Sequence, residues 1–286
     1  MLLSGTDLLA VANKNQFAVP AFNVSDYAMM NGLFEISEEK KAPLLIAIHP
    51  DELSHVGVDM MRAVIARAGR SSVPVAIHFD HGASYEQILL AIRVGFTSVM
   101  IDGSMLPFAE NIALTRRAVE AAHAVGVSVE GELGTIGKTD SEAEDGAATI
   151  IYTEPDDAVT FVEETGVDTL AIAIGTCHGI YPAWMKPELK LDLLERIKVK
   201  VSIPLVLHGG SNNPDTEIGQ AVKIGVNKIN ISSDIKVAYH DKMREVLADT
   251  SLREPNSIQP PCIAAMKVTA AHKIDLFDAA GKAELY

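Results

Sequence analysis

The sequence predicts a parallel α/β protein that folds as a (β/α)8 TIM barrel. Short runs of Val, Ile, Leu and Ala recur along the 286 residues, helical segments separate them, and three of them end in histidine followed by glycine. Such runs are typical of parallel strands buried on both faces. Strand followed by helix, repeated eight times, favours a closed barrel. A doubly wound open sheet is the alternative, but no GxGxxG motif follows the first strand.

The eight predicted strands are short and apolar. They are AVPAFNV (18–24), PLLIAIHP (43–50), PVAIHFD (74–80), SVMIDGS (98–104), SVEGELG (128–134), TLAIAIG (169–175), PLVLHGG (204–210) and KINISSD (228–234). The segments between them carry apolar residues at helical spacing, and the clearest helices cover 26–41, 109–125, 155–166 and 234–247. The third of these opens with Pro155, a favoured first residue of a helix.

The whole chain, residues 1–286, is predicted to form a single domain. The barrel covers about residues 18–247, and a C-terminal extension occupies about residues 250–286. The extension contains EPNSIQPP and then a helical pattern from Ile263 to Phe277, which we expect to pack outside the barrel or against a partner subunit. No linker, low-complexity segment or change in composition indicates a second domain.

Composition and charge exclude several classes of function. A formal net charge of −14 argues against a nucleic-acid-binding protein, but not against a phosphorylated substrate, because phosphate sites are local. Two cysteines, Cys177 and Cys262, are too few for a disulfide framework, so we expect a reducing, cytoplasmic location. The N-terminus lacks a signal-peptide pattern, and no apolar run is long enough for a membrane span.

Three histidines lie at the carboxyl ends of predicted strands, His81 in PVAIHFDHG, His178 in LAIAIGTCHG and His208 in PLVLHGGS. In a parallel barrel these strand ends share one face, where active sites lie. A lone buried histidine is more often structural, but three that each precede a glycine favour a metal site. Three neutral imidazoles that leave a fourth position open are typical of catalytic zinc. The sequence therefore predicts one catalytic Zn²⁺ ion.

Carboxylates lie at the same strand ends. Asp80 directly precedes the first of the three histidines, where it can exchange a proton with a metal-bound group; a strand-end cap is its alternative role. Asp102 and Glu132 are predicted to orient a histidine or to hold a second metal position. Glu130 shares the strand face of Glu132, and a structural ion pair with Lys228 is an open alternative for it.

Small polar residues follow the seventh and eighth strands, in HGGS (208–211) and NISSD (230–234). Such residues expose backbone N–H groups and hydroxyls, and the corresponding loops of many barrels bind phosphate. Ordinary turns with helix caps at Ser232 or Ser233 are the alternative. The sequence thus predicts a phosphate site beside the metal site.

These motifs together resemble the class II, zinc-dependent ketose-bisphosphate aldolases, and most of all the branch that contains tagatose-bisphosphate aldolase. The resemblance extends from residue 19 to about residue 245 and rests on VPAFNV, HFDHG, SVMIDGS, VEGELG, AIAIGTCHG, PLVLHGGS and KINISSD. It implies a lyase that reversibly cleaves a ketose 1-phosphate or 1,6-bisphosphate into dihydroxyacetone phosphate and an aldehyde.

The resemblance also implies the roles of the metal and the acids. Zinc held by the three histidines polarises the carbonyl of dihydroxyacetone phosphate and stabilises the enediolate. Asp80 protonates the aldehyde oxygen in condensation and removes the hydroxyl proton in cleavage. Asp102 and Glu132 match positions that bind the metal as it moves between buried and catalytic sites.

The residues that the resemblance implies for substrate binding contact the phosphate and the enediolate. They are Asn23, Gly179, Gly209, Gly210, Ser211, Asn230, Ile231, Ser232 and Ser233. A monovalent cation, Na⁺ or K⁺, near the phosphate is also implied. The expected partners are a small phosphorylated sugar and further copies of the chain, in a homodimer or homotetramer, with no nucleic acid and no membrane.

In related fructose-bisphosphate aldolases, an acid on the loop after the fifth strand removes a carbon-bound proton. The polar segment 135–151 has the composition of a mobile active-site loop and offers Asp140, Glu142 and Glu144. Asp140 lies nearest the family position, and Glu142 is the second choice.

The aldehyde half of the substrate is left open by departures from the family pattern. His49 and Pro50 stand where the family has small or hydroxyl residues, and Ser232 replaces an aspartate of the fructose-bisphosphate branch. No arginine is identified for a distal phosphate. Two other functions are also open, a zinc hydrolase or isomerase of a phosphorylated sugar and a non-catalytic sugar-phosphate-binding protein.

Overall fold

The structure is a computed structural model that describes residues 1–139 and 149–286. Its strands are β1 (Val19–Asn23), β2 (Leu44–Ile48), β3 (Val75–Gly82), β4 (Ser98–Ile101), β5 (Ser128–Leu133), β6 (Gly137–Lys138), β7 (Thr169–Ile172), β8 (Cys177–His178), β9 (Leu205–Leu207) and β10 (Val226–Ile231). Eight of them pair in parallel around a closed barrel in the order β1, β10, β9, β7, β5, β4, β3, β2, while β6 and β8 form a separate two-stranded sheet. The predicted (β/α)8 barrel is therefore confirmed.

Helices follow the barrel strands along the chain. They are α1 (Gly5–Asn15), α2 (Tyr27–Glu39), α3 (Pro50–Val56), α4 (Met60–Gly69), α5 (Tyr85–Val94), α6 (Phe108–His123), α7 (Pro155–Thr165), α8 (Leu191–Lys200), α9 (Asp215–Ile224), α10 (Ser233–Val246) and α11 (Pro255–Leu276). The four helices predicted from the sequence correspond to α2, α6, α7 and α10. Within residues 1–139 and 149–286, no helix is long and apolar enough to cross a membrane.

The barrel strands are apolar throughout because both of their faces are buried. Every residue of β3 and of β5 is buried, with side chains alternating between the barrel interior and the helix layer. Close packing of the helices also requires small residues. A Cβ atom at Gly131 of β5 would lie 2.8 Å from the ring of Phe161, which is fully buried on α7. Glycine at this position therefore lets α7 lie directly against the strand.

Helix α1 packs against the amino-terminal end of the barrel, an element that the sequence analysis did not predict. The backbone N–H of Gly5 donates to Ser128 Oγ at 2.9 Å, and Ser4 caps the helix by accepting from the N–H of Asp7. A Cβ at Gly5 would lie 2.5 Å from the same Ser128 oxygen. This end of the barrel is thus covered, and the opposite end carries the polar residues described below.

The C-terminal extension forms α11, which packs outside the barrel against α2 and α10. The helix begins at Pro255, earlier than the predicted start at Ile263, and includes Pro260 and Pro261. Packing against two neighbouring helices compensates for the backbone hydrogen bonds that these prolines remove. After the helix, the carbonyl of the fully buried Phe277 accepts a hydrogen bond from the N–H of Ala18, which immediately precedes β1.

Candidate active site

His81, His178 and His208 come together at the carboxyl end of the barrel. One nitrogen from each ring can be chosen so that the three atoms lie within 4.8 Å of one another. The ring centroids of His81 and His208 are 4.5 Å apart, and those of His81 and His178 are 5.2 Å apart. All three residues are buried, and Nε2 of His81 has no hydrogen-bond partner among the described residues. A buried imidazole nitrogen left in this way suits a metal ligand.

Three different elements carry these histidines. His81 is the second-last residue of β3, and His208 directly follows β9. The sequence analysis placed His178 at the end of a barrel strand, and this placement was wrong, because β7 ends at Ile172. His178 instead lies in β8, which pairs with β6, and its carbonyl accepts hydrogen bonds from the N–H and hydroxyl of Thr139, both at 2.9 Å.

The backbone of β3 changes conformation at His81, where φ is +50°. The pairing between β3 and β4 also shifts in register between Phe79 and Gly82. In a regular strand, Asp80 and His81 would point to opposite faces. The left-handed residue breaks this alternation, so the Asp80 carboxylate and the His81 imidazole both lie at the mouth of the barrel.

Carboxylates hydrogen-bond to the imidazoles and orient them. Nδ1 of His81 lies 3.0 Å from Asp102 Oδ2. The two nitrogens of His208 contact two different acids, with Nδ1 2.8 Å from Glu132 Oε2 and Nε2 2.9 Å from Glu130 Oε1. His81, Asp102 and Glu132 also form a second group whose potential ligand atoms lie within 4.8 Å of one another. Both predicted roles of Asp102 and Glu132, orienting a histidine and holding a second metal position, are therefore compatible with this geometry.

The electrostatics of the cluster favour a cation. Burial opposes a charge on His81, but the carboxylates of Asp80 and Asp102 outweigh burial and raise the pKa of His81 to about 10. Burial also disfavours the Asp80 anion, yet the His81 and Lys228 charges hold the pKa of that carboxyl well below its usual range. Burial and the neighbouring Asp102 raise the pKa of Glu132. The cluster thus stabilises positive charge where the imidazoles meet, and a divalent cation can take the place of the proton there.

Asp80 is fully buried and is held by two asparagines. Asn23 Nδ2 donates to Asp80 Oδ2 at 3.0 Å, and Asn230 Nδ2 donates to Asp80 Oδ1 at 2.9 Å. Because both asparagines donate, they favour the ionised form of the carboxylate and fix its orientation. The sequence analysis assigned Asn23 and Asn230 to the substrate, and in the structure their amides contact the candidate acid.

A buried ion pair lies beneath the histidines, between Lys228 on β10 and Glu130 on β5. Lys228 Nζ is 2.8 Å from both oxygens of Glu130 and 3.2 Å from Nε2 of His78. Lys228 has no exposed surface, and Glu130 is 1% exposed. Burial, aided by Lys228, lowers the pKa of His78 to about 3, so this histidine is neutral. The structural ion pair considered for Glu130 is therefore present.

Three loops bring the candidate phosphate-binding residues together. The N–H of Gly210 donates to the carbonyl of Asn230 at 3.1 Å, which joins the loop after β9 to the end of β10. At Gly209 φ is +61°, and a Cβ there would lie 2.5 Å from the carbonyl oxygen of Cys177, one residue before His178. Gly179, Gly209–Ser211 and Asn230–Ser233 thus lie on neighbouring loops. Ile231, the last residue of β10, is itself fully buried.

The alternative role of Ser232 as a helix cap is wrong. Ser232 precedes α10, but its side chain makes no capping hydrogen bond. Ser211 supplies the cap from another loop, since its Oγ accepts from the N–H of Asp234 at 3.2 Å. The amino end of α10 is therefore bound to the loop after β9.

The sequence analysis missed Glu52, which lies on α3 beside Asp80 and its asparagines. Its carboxylate accepts from Asn23 Nδ2 at 3.4 Å and from the N–H of His49 at 2.8 Å, and it pairs with Lys236 Nζ at 2.7 Å. The Glu at the third position after His49 matches a capping box, which is the local signal for this contact. The two charged side chains on this side of the site, Glu52 and Lys236, therefore neutralise each other.

A cavity of about 390 Å³ opens beside the metal cluster. Its lining combines four candidate metal ligands with small polar and apolar side chains, and the lining residues are His81, Ala83, Asp102, Ser104, Met105, Leu106, Glu132, Thr135, Ile136 and His178. A volume of this size suits a small ligand. The candidate loop acids Asp140, Glu142 and Glu144 lie outside the described residues.

Comparisons of the sequence and of the structure with known proteins all point to one family. A model of the class II fructose-bisphosphate aldolase family matches residues 4–282. A fructose-bisphosphate aldolase from Thermus caldophilus is 37% identical and aligns with 99% of this chain and 100% of its own, and one from Geobacillus stearothermophilus is 37% identical over 99% of both. The solved structure of the YdjI aldolase from Escherichia coli has a TM-score of 0.87 and 33% identity, and the match covers 99% of this chain and 100% of that one. The chain therefore belongs to the class II fructose-bisphosphate aldolase family.

Proposed function

We propose that this protein reversibly cleaves a ketose 1-phosphate or ketose 1,6-bisphosphate into dihydroxyacetone phosphate and an aldehyde. The observation that carries the proposal is the cluster of His81, His178 and His208 beside the buried, doubly hydrogen-bonded Asp80. Two relatives that align over nearly the full chain are named fructose-bisphosphate aldolases, which supports a bisphosphate. Whether the chain is nearer to the tagatose-bisphosphate branch stays a prediction.

The three histidines are the proposed ligands of one Zn²⁺ ion. The donor set of three imidazoles suits zinc, and the buried Nε2 of His81, which has no hydrogen-bond partner within residues 1–139 and 149–286, fits the role of a ligand atom. When bound, zinc supplies Lewis-acid polarisation of the ketose carbonyl. Asp102 orients His81 through Nδ1. His208 needs one nitrogen for the metal, so only one of its two acids, Glu130 or Glu132, would keep its hydrogen bond and orient the ring when zinc is bound. We also assign Asp102 and Glu132 to a second metal position, because they form a ligand group with His81.

Asp80 is the proposed proton acceptor and donor of the reaction. In cleavage it removes the proton from the hydroxyl whose oxygen becomes the aldehyde, and in condensation it returns that proton. Asn23 and Asn230 keep the carboxylate in one orientation, so the side chain loses little freedom when substrate binds. The depressed pKa of Asp80 makes the anion, which is the form needed for cleavage, the resting state.

The phosphate of the substrate is proposed to bind where the loops after β8, β9 and β10 meet. The candidate groups are Gly179, Gly209–Ser211 and Asn230–Ser233, because backbone N–H groups of small residues and the amino end of α10 favour an anion. A monovalent cation, Na⁺ or K⁺, is proposed beside it. For removal of the carbon-bound proton, the candidates are Asp140 and Glu142, with Glu144 as a further acid in the same segment.

Family membership favours the aldolase over a zinc hydrolase or isomerase and over a non-catalytic sugar-phosphate-binding protein. We also propose that the chain is a single domain, since one continuous hydrophobic core includes residues of the barrel and of α11. Two free cysteines support the cytoplasm as its location. A homodimer or homotetramer is proposed from the family resemblance, and light scattering of the purified protein tests it.

The first experiment is a coupled assay for dihydroxyacetone phosphate release from a panel of ketose 1-phosphates and 1,6-bisphosphates, with and without a chelator. We expect release from at least one sugar, loss of release with chelator, and recovery on addition of Zn²⁺. The preferred sugar identifies the aldehyde half of the substrate. Protein that contains zinc and yet releases nothing from any sugar would contradict the aldolase.

A matched pair of variants separates catalysis from metal binding. In Asp80→Asn the asparagine has the same shape but cannot accept the proton, so we expect wild-type zinc content and a turnover reduced about 10²–10⁴-fold. The control is Asp241→Asn, because Asp241 is exposed and pairs with Arg244 on α10. A control variant as inactive as Asp80→Asn would contradict a specific role for Asp80.

A further inference from the structure

We propose that Lys273, in the C-terminal helix α11, is a positioning residue for the phosphate-binding loops. This inference rests on the proposed function, since it concerns the loops to which the phosphate of the substrate was assigned. Lys273 is 5% exposed, although it lies on the helix that packs outside the barrel. A buried ammonium is costly unless it is paired, so its partner determines what the residue does.

The partner of Lys273 is Asp234, in the first turn of α10. Lys273 Nζ lies 2.7 Å from Asp234 Oδ2, and the side chains are 6% and 14% exposed respectively. An apolar side chain would pack α11 against α10 at no cost in desolvation, whereas a buried ion pair adds little net stability. The ion pair does fix the position of the Asp234 carboxylate, which also contacts the loop after β9.

Asp234 connects α10 to the loop after β9. Its two carboxylate oxygens accept from the backbone N–H of Asn212 at 3.1 and 3.2 Å. In the reverse direction, the N–H of Asp234 donates to Ser211 Oγ at 3.2 Å. Asn212 has a φ of +56°, a left-handed conformation that asparagine adopts more readily than most residues other than glycine, and the hydrogen bonds that its N–H donates to Asp234 hold it there.

Asn212 in turn connects to the loop that follows His178. Its Oδ1 accepts from the N–H of Tyr181 at 2.9 Å, two residues after Gly179. The next residue, Asn213, closes its own loop by donating from Nδ2 to the carbonyls of Gly209 and Ser211, at 2.6 and 2.9 Å. One series of hydrogen bonds therefore runs from α11 through α10 to the loops after β9 and β8, and these loops carry the candidate phosphate-binding residues.

The charge on Lys273 is needed as well as its position. The Asp234 carboxylate lies in the same helical turn that is proposed to receive a phosphate, and two anions in that turn repel each other. Lys273 compensates the Asp234 charge directly. Its removal leaves Asp234 both displaced and uncompensated, so the expected defect is weaker binding of the phosphate rather than slower chemistry.

The test is Lys273→Met in the full-length, zinc-loaded enzyme, with Lys267→Met as the matched control. Lys267 lies on the same helix and pairs with Glu35 and Glu39 at 3.3 and 2.7 Å, away from the loops. For Lys273→Met we expect the KM for the preferred ketose phosphate, and the inhibition constant of inorganic phosphate, to rise about 10–100-fold, as when outer contacts to a ligand site are lost. The kcat and the zinc content should stay at the wild-type values, and Lys267→Met should match the wild type in all four quantities.

A double variant keeps the test decisive if the single variant does not fold. In Lys273→Met/Asp234→Asn no buried charge is left unpaired, so this protein should fold, and its KM should lie between those of the wild type and Lys273→Met. A wild-type KM and phosphate inhibition in either folded variant would overturn the proposal. Absence of phosphate inhibition and of aldolase activity in the wild type would instead contradict the proposed function.

Discussion

The metal side and the phosphate side of the barrel mouth are built in different ways. On the metal side, residues in or next to barrel strands contact one another directly inside the barrel, as in the Lys228–Glu130 pair and the contact between His208 and Glu130. On the phosphate side, loops contact one another outside the strands, and their outermost partner is Lys273 on α11. The first arrangement is fixed by barrel closure, and the second by the docking of a helix.

This difference predicts which property each side controls. Buried charges inside the barrel cannot be removed singly without leaving an unpaired ion, so changes there should affect folding and metal binding together. Loops held by hydrogen bonds at the rim can shift while the barrel stays closed, so changes there should affect substrate affinity first. The predictions below test this contrast, beginning with the largest expected effect.

The largest effect is expected from His81→Ala, on the metal side, because His81 belongs to both groups of potential metal ligands. Loss of one of three imidazoles should lower zinc content to near zero and reduce turnover to that of chelated wild type. His123→Ala is the control, because His123 is exposed and pairs with Asp168 far from the cluster. Metal analysis and the aldolase assay measure both, and a fully zinc-loaded His81→Ala protein would contradict the proposed ligand set.

Lys228→Met should destabilise the fold by about 3–5 kcal/mol, because Glu130 would be left as a buried, unpaired charge. Chemical denaturation measures the free energy of unfolding. The double variant Lys228→Met/Glu130→Gln should recover part of this loss, since neither buried charge remains. If Lys228→Met lowers the free energy of unfolding by no more than the loss of an exposed ion pair would, the Lys228–Glu130 pair does not stabilise the barrel as described.

Ser211→Ala should cost about 1 kcal/mol of stability, since it removes the hydrogen bond from the N–H of Asp234 at the start of α10. We expect the KM for the ketose phosphate to rise while zinc content stays unchanged. Ser202→Ala, at an exposed position, is the control. A fall in zinc content in Ser211→Ala would contradict the separation of the two sides.

The smallest effect should come from a pair outside both sides, Arg67 with Glu38, whose atoms Nη2 and Oε2 are 2.8 Å apart. The hydrogen bond from Arg67 lowers the pKa of Glu38, so the pair contributes stability above the ordinary pKa of glutamate and loses it as the pH falls. Arg67→Met should therefore cost about 1 kcal/mol or less at neutral pH and still less near pH 3. Unfolding curves at the two pH values measure the difference, and a larger cost at the acidic pH would reverse the assigned sign.

Much of the metal side could be predicted from the sequence because its signals are local. Asp80, His81 and His208 each lie in or directly after a strand whose apolar run is visible in the sequence, and parallel topology then brings those strand ends to one face. The family resemblance added the assignment of Asn23 and Asn230 to the site. Their hydrogen bonds to Asp80 could be identified only in the structure, because three separate strands supply the atoms.

The phosphate side was only partly predictable because its supports are distant in sequence. HGGS and NISSD indicated the loops, but nothing in the sequence near Lys273 distinguishes it from Lys267, the other lysine of α11. Its partner Asp234 is far along the chain, and only the docking of α11 brings the two together. The β6–β8 pairing that carries His178 was missed for a different reason. Each of these strands is only two residues long, which is too short to leave a pattern in the sequence.

The placement of His178 on this small sheet joins the metal site to a part of the chain outside the barrel. Barrel strands position His81 and His208, whereas His178 is positioned by the pairing of residues 137–138 with residues 177–178. A metal ion held by all three histidines would therefore link this outer pair of strands to the closed barrel. We expect metal binding to slow backbone hydrogen exchange at residues 137–138 and 177–178 more than in the barrel strands.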